Sequence, residues 1–145
     1  MSLPKPEPGL VIRYSYLWQR EHRAGRDEGS KDRPCAIVLT LQDTAEGKQV
    51  LVVPVTHSPP DDPAAALELP PIIKQHLDLD MDRSWVVISE SNLFTWPGPD
   101  LRRIADRDES SVAYGILPPK FFTELRRRFV EAEASTRSKR VRRTE

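Results

Sequence analysis

Arg33, Thr56 and His57 are the residues of this chain whose types and spacing best suit chemistry. Arg33 opens an apolar run, Arg33 to Leu41 (RPCAIVLTL), while Thr56 and His57 close a second, Gln49 to Ser58 (QVLVVPVTHS). If the two runs pair as antiparallel neighbours, the start of the first lies beside the end of the second, and Arg33 meets Thr56. A guanidinium fixed next to a hydroxyl makes a phosphate site, because it offers an anion two parallel charge-assisted hydrogen bonds. His57 adds an imidazole able to take a proton from a hydroxyl, but strand alternation points it to the face opposite Thr56 unless the chain has already turned toward Pro59. Arg33 also has a plain structural reading, as a strand-entry arginine paired with Asp32 or Glu28.

The elements that must position these residues are strands. Both runs are rich in β-branched residues and too short for a free-standing helix, and the polar link Asp43 to Lys48 between them predicts a central hairpin. Leu10 to Trp18 predicts an earlier strand, with Leu10, Ile12, Tyr14, Tyr16 and Trp18 on its core face. Gln19 to Asp32 is a polar connection of fourteen residues, a length commonly functional or mobile in a compact domain. Ser58 to Pro63 is a stiff turn and Ala64 to Leu69 a short strand or bridging segment. Pro70 and Pro71 open a short middle helix, Ile72 to Leu77, with His76 at the edge of the core. Ser84 to Ser89 and Glu90 to Trp96 continue the sheet until Trp96-Pro97-Gly98-Pro99 stops regular pairing. After a last strand, Val112 to Leu117, Pro118 and Pro119 begin a C-terminal helix with Phe121, Phe122, Leu125 and Phe129 on one face. The pattern predicts a mainly β (α+β) fold: a small curved sheet or barrel, a short middle helix and a C-terminal helix.

The 145 residues are the size of one domain, and 38% hydrophobic content supplies a core despite 14 prolines. No run reaches the length of a membrane span, and the Pro-rich N-terminal segment has no apolar signal core, so no membrane partner and a cytoplasmic location are expected. Cys35 is the single cysteine; it forms no internal disulfide and sits in an apolar run as an inert thiol. Asp78, Asp80 and Asp82 alternate as in a calcium loop but lack its glycine and distal glutamate, so they read as solvated turn charges, and no metal or cofactor is expected. The net charge of zero is unevenly spread: Lys120 to Glu145 holds nine Lys or Arg against four Glu. The chain thus divides into an extended segment, 1–8, a folded domain, 9–131, and a basic flexible tail, 132–145, able to attract polyanions.

Gly9 opening a strand, Arg33-Pro34 leading into a hydrophobic strand, Val52-Val53-Pro54-Val55-Thr56 ending the next, Trp85-Val86-Val87-Ile88 and a closing helix together resemble the PemK/MazF family of bacterial toxins. The resemblance spans most of residues 8 to 130. It implies an SH3-like barrel, a homodimer and a cognate antitoxin partner. It also implies a metal-independent endoribonuclease that cuts single-stranded RNA through the RNA's own 2′-hydroxyl and leaves a cyclic phosphate. Arg33 and Thr56 occupy the family's functional positions, with His57 as an added catalytic candidate and Ser58, Asn92, Phe94 and Trp96 as RNA contacts. Aromatic side chains such as Phe94 and Trp96 suit base stacking, as in other single-strand binders. The chain departs from the family in carrying Leu10 where many relatives have an acid, and Asn92-Leu93-Phe94 where they tend to have a Gln-Ile-Arg-type segment. A relative that has lost part of this set would act as a nucleic-acid or protein binding module on the same fold.

Overall fold

The computed structural model describes residues 3–26, 29, 31–44, 47–104, 111–135 and 139–143. Glu28 and Arg137 lie outside them.

The central hairpin forms as the two apolar runs dictate. Strands β2 (Arg33–Thr44) and β3 (Gly47–Thr56) pair antiparallel with Cys35 opposite Pro54 and Ala36 opposite Val53. Strand β1 (Leu10–Tyr14) adds to the outer side of β2. Gly9 launches it at φ 96°, a backbone conformation that disfavours a side chain, and its N–H donates to the Ile37 carbonyl. Beyond these lie β4 (Ala66–Glu68), β5 (Trp85–Val87), β6 (Glu90–Thr95) and β7 (Ala113–Ile116). The order is β4-β5-β3-β2-β1-β7 in one mainly antiparallel, open sheet of eight strands, with β6 and β8 (Lys139–Arg142) off this path. Strand β3 is shared along its length: Gln49–Val52 pair with β6, and Val55–Thr56 pair with β5.

Both faces of the hairpin are buried, which is why its strands read as continuous apolar runs rather than alternating ones. On one face Ala36, Val38, Leu51 and Val53 pack with Ile73 of α2 (Pro71–His76), with Leu77 that caps it, and with Leu125 and Phe129 of α3 (Pro119–Ala134). On the other, Cys35, Ile37, Val50 and Val52 pack with Leu10, Ile12, Tyr14, Tyr16 and Trp18, the face expected of the first strand. Each fully buried aliphatic side chain contributes about 1.5–3 kcal/mol. Both helices begin with proline at the first helical position, where a missing N–H costs nothing. His76 is exposed rather than at the core edge, because Ile73, Lys74 and the following Leu77 are the positions that turn inward here.

Three expectations are corrected. The first strand ends at Tyr14, and Ser15 to Trp18 continue extended without a strand neighbour. Instead the Asn92 side chain serves as one: its Oδ1 accepts from Leu17 N (2.9 Å) and its Nδ2 donates to Leu17 O (2.8 Å). The polar connection after it begins with a helix, α1 (Gln19–Arg23), whose Glu21 carboxylate accepts from Trp18 N. The basic tail is not a free arm where it is described: Lys139–Arg142 form β8, parallel to β6, and Val141 and Arg143 are buried. The physical reason is a partner at long range. Arg143 forms an ion pair with Asp100 at 3.1 Å and donates to Ser15 O, Tyr14 Oη and Asn92 Oδ1, which anchors the strand beside β6.

Candidate functional site

At the open end of the hairpin the antiparallel register brings Arg33 beside the end of β3, and Arg33 Nη1 donates to the Val55 carbonyl at 3.2 Å. A cavity of about 480 Å³ opens here, lined by Arg33, Thr56, His57 and Ser58 together with Trp18 and Glu90. Four of the seven expected site residues therefore share one wall.

Among the described residues Arg33 is held without a carboxylate. Asp32, its expected partner, is engaged by Arg13 at 3.7 Å and Arg102 at 3.5 Å. The Arg33 guanidinium lies over the Trp18 indole, 4.9 Å from the ring centre, and Arg20 lies over the same ring at 5.1 Å. Among the described residues no acid reaches Arg33, and its Nε is buried with no hydrogen-bond partner. Burial lowers its pKa from the ordinary arginine value, against the raising influence of Glu21. The side chain is thus a positioned, partly desolvated cation with hydrogen bonds left to make.

Thr56 is half-buried, and its Oγ1 accepts from Ser58 N at 3.2 Å. That short-range bond turns the chain out of β3. The hydroxyl proton of Thr56 remains available to a ligand. His57 is exposed and turned to a neighbouring polar cluster: Nε2 is 3.0 Å from Asp80 Oδ2, and Nδ1 is 3.2 Å from the Arg83 carbonyl. With acceptors at both ring nitrogens, the imidazole has no free lone pair aimed at a substrate hydroxyl in this arrangement.

The cluster behind His57 is built around Lys74. Its ammonium is buried and donates to Asp80 Oδ1 (2.7 Å), Ser84 Oγ (2.6 Å) and the Asp82 carbonyl. Partial burial works against the Asp80 carboxylate, but the Lys74 hydrogen bond and charge, then the His57 charge, hold its pKa below the usual range. Atoms of His57, Asp80 and Asp82 converge within 4.8 Å, and the Lys74 cation already stands among them. Asp80 is therefore an anchor for a buried lysine rather than a solvated turn charge.

The remaining expected contacts lie elsewhere. Asn92 is fully buried and Phe94 is 3% exposed, stacked on Tyr14 with ring centres 4.6 Å apart. Neither presents a surface to RNA, because β6 is covered by the segment after β1 and by β8. Trp96 is half-buried, and its N–H donates to the Lys48 carbonyl at the hairpin's far end. At about 3.4 Å per strand residue, Lys48 is roughly 27 Å along β3 from Thr56.

Glu90 is the site residue that sequence reasoning passed over. It is half-buried in the cavity wall, and one oxygen, Oε1, accepts from both Gln19 N (2.9 Å) and Tyr16 Oη (3.1 Å). Burial raises its pKa from the ordinary glutamate value, partly offset by these two hydrogen bonds and by Arg20. The sequence signal was an acid placed between two apolar stretches, Trp85 to Ile88 and Leu93 to Phe94, where a carboxylate is seldom tolerated without a task or a partner.

No protein-family model, curated protein or solved structure matches the chain. Among the described residues no helix is long and apolar enough to cross a membrane.

Proposed function

We propose that this chain is a metal-independent endoribonuclease of the PemK/MazF type, cutting single-stranded RNA as the toxin of a type II toxin-antitoxin pair. In this reading the sheet is a variant of the SH3-like barrel, the active form is a homodimer, and a cognate antitoxin blocks the cavity. The single observation that carries the proposal is the Arg33 guanidinium, with no carboxylate partner among the described residues, lining one cavity with Thr56.

The chemistry follows from that pair. When the 2′-oxygen attacks phosphorus, negative charge builds on the non-bridging oxygens, and Arg33 is placed to stabilise it with charge-assisted hydrogen bonds. Its direction of pKa shift also makes it a less reluctant donor toward the leaving 5′-oxygen than a solvated arginine. Thr56 donates its hydroxyl proton to a phosphate oxygen and fixes the phosphate against Arg33. Arg20 and Lys31 supply further positive charge at the rim.

The test is cleavage of mixed single-stranded RNA by purified protein in the presence of a chelator. Fragments ending in cyclic phosphate, reduced about 10²–10³-fold in Arg33→Ala, agree with loss of one preorganised oxyanion donor. A folded wild-type protein that binds these RNAs without cutting them would instead support a binding module built on the same sheet.

A further inference from the structure

We infer that Glu90 is the general base of this site, its Oε2 taking the proton from the substrate 2′-hydroxyl. The inference rests on the ribonuclease reading and adds to it the group that activates the nucleophile.

The geometry of Glu90 differs from that of a structural acid. Its two protein hydrogen bonds both converge on Oε1, from Gln19 N and Tyr16 Oη. Among the described residues Oε2 has no hydrogen-bond or ion-pair partner, and it is not among the buried unsatisfied atoms, so it is open to solvent. One oxygen is thus an anchor that fixes the carboxylate plane and the other is unengaged, on a side chain that lines the same cavity as Arg33 and Thr56. The arrangement leaves one oriented lone pair for a proton, which general-base catalysis requires.

The surrounding charges tune the group without neutralising it. Arg20 and Glu21 of α1 act in opposite senses, Tyr16 donates from the preceding segment, and Lys139 is its register partner on β8. Arg33 lines the same cavity. Burial is the leading influence and makes Glu90 more basic than a solvated glutamate, which suits proton abstraction nearer neutral pH. The other carboxylates lining the cavity, Asp61 and Asp62, are exposed on the turn after Thr56, and Asp62 is engaged in capping Ala64 N.

The step balances within the site. Glu90 Oε2 receives the proton as the 2′-O–H bond breaks, the 2′-oxygen bonds to phosphorus, and the P–O5′ bond breaks with its electron pair going to O5′. O5′ takes a proton from the Arg33 guanidinium, solvent reprotonates Arg33, and Glu90 returns its proton to solvent. The products are a 2′,3′-cyclic phosphate and a free 5′-hydroxyl.

The experiment is the pH–rate profile of cleavage of an oligonucleotide carrying a mapped cut site, for wild type, Glu90→Gln and Tyr16→Phe. In wild type the rate rises with pH along an acidic limb. Glu90→Gln keeps the anchoring acceptor but lowers the rate about 10²–10⁴-fold and removes the limb. Tyr16→Phe removes a hydrogen bond that favours the ionised form, so its limb moves to higher pH. Affinity for the same oligonucleotide with a 2′-deoxy cut site stays within a few-fold of wild type in Glu90→Gln.

Four results would overturn the inference, and they are distinguishable. Absence of cutting by wild type removes the ribonuclease reading as well. Cutting with the limb retained in Glu90→Gln removes the base assignment alone. Loss of 2′-deoxy oligonucleotide binding in step with cleavage makes Glu90 a binding residue. Full recovery of Glu90→Gln on a substrate with a 5′-thiolate leaving group makes Glu90 the acid for that group rather than the base.

Discussion

The Arg33 guanidinium and the Trp18 indole form a stack at 4.9 Å that holds a cation at the cavity with no counter-carboxylate among the described residues. An ion pair in this place would neutralise the charge that a phosphate needs. The aromatic face holds the arginine while leaving its charge available, and worth about 0.5–1 kcal/mol at a partly exposed site. Trp18→Phe keeps a ring with a weaker face, so cleavage is expected to fall about two- to fivefold. Measured kcat/KM, with the thermal transition as a control for folding, checks this.

Arg143 and Asp100 form a buried ion pair, with side chains 1% and 8% exposed. Removing one charge of such a pair strands the other, so Arg143→Met is expected to cost about 3–5 kcal/mol. The double variant Arg143→Met with Asp100→Asn recovers part of that loss. Urea unfolding of the three proteins measures the difference.

Lys74→Met removes three hydrogen bonds from the cluster behind His57 and is expected to destabilise by about 1.5–3 kcal/mol. Asp80, whose pKa is lowered in the folded state, gives the cluster a pH signature. A depressed carboxylate contributes stability above its unfolded pKa and loses it as pH falls through the folded value. The stability gap between wild type and Asp80→Asn should therefore be widest near neutrality and close below about pH 4, near the unfolded aspartate pKa.

Glu90 has the opposite sign. Its pKa is raised in the folded state, so the folded protein holds this proton more tightly and stability falls as pH rises from the unfolded pKa through the folded one. Glu90→Gln is expected to unfold at a higher temperature than wild type at pH 7, with the advantage disappearing in acid. A gain in stability beside a loss of cleavage is the pattern of a residue retained for its reactivity.

The hairpin, its register and the meeting of Arg33 with the end of β3 were legible because they follow from local rules: apolar runs of strand length, a polar turn, and antiparallel geometry. The starts of α2 and α3 were legible from Pro71 and Pro119 for the same reason. What was hidden depends on partners far away in the chain. Asn92 was read as an RNA contact, but it satisfies the backbone of Leu17, 75 residues earlier. Arg143 was read as part of a solvated tail, but its partners Ser15 and Asn92 are 128 and 51 residues away. Helix α1 was obscured because its first-turn acceptor, Glu21, follows Trp18, a residue with no capping oxygen.

The docking of β8 onto β6 also sets an order of events in time. Strand β6 gains its second neighbour only from residues 139–142, so while the ribosome is still adding those residues the edge of β6 is bare. Pairings that join such distant segments form late, and an uncovered strand edge invites pairing with other chains. A nascent chain stopped before residue 139 would carry an almost complete sheet with one sticky margin. Such a truncated product should accumulate as aggregate, or be captured by chaperones, rather than as active protein.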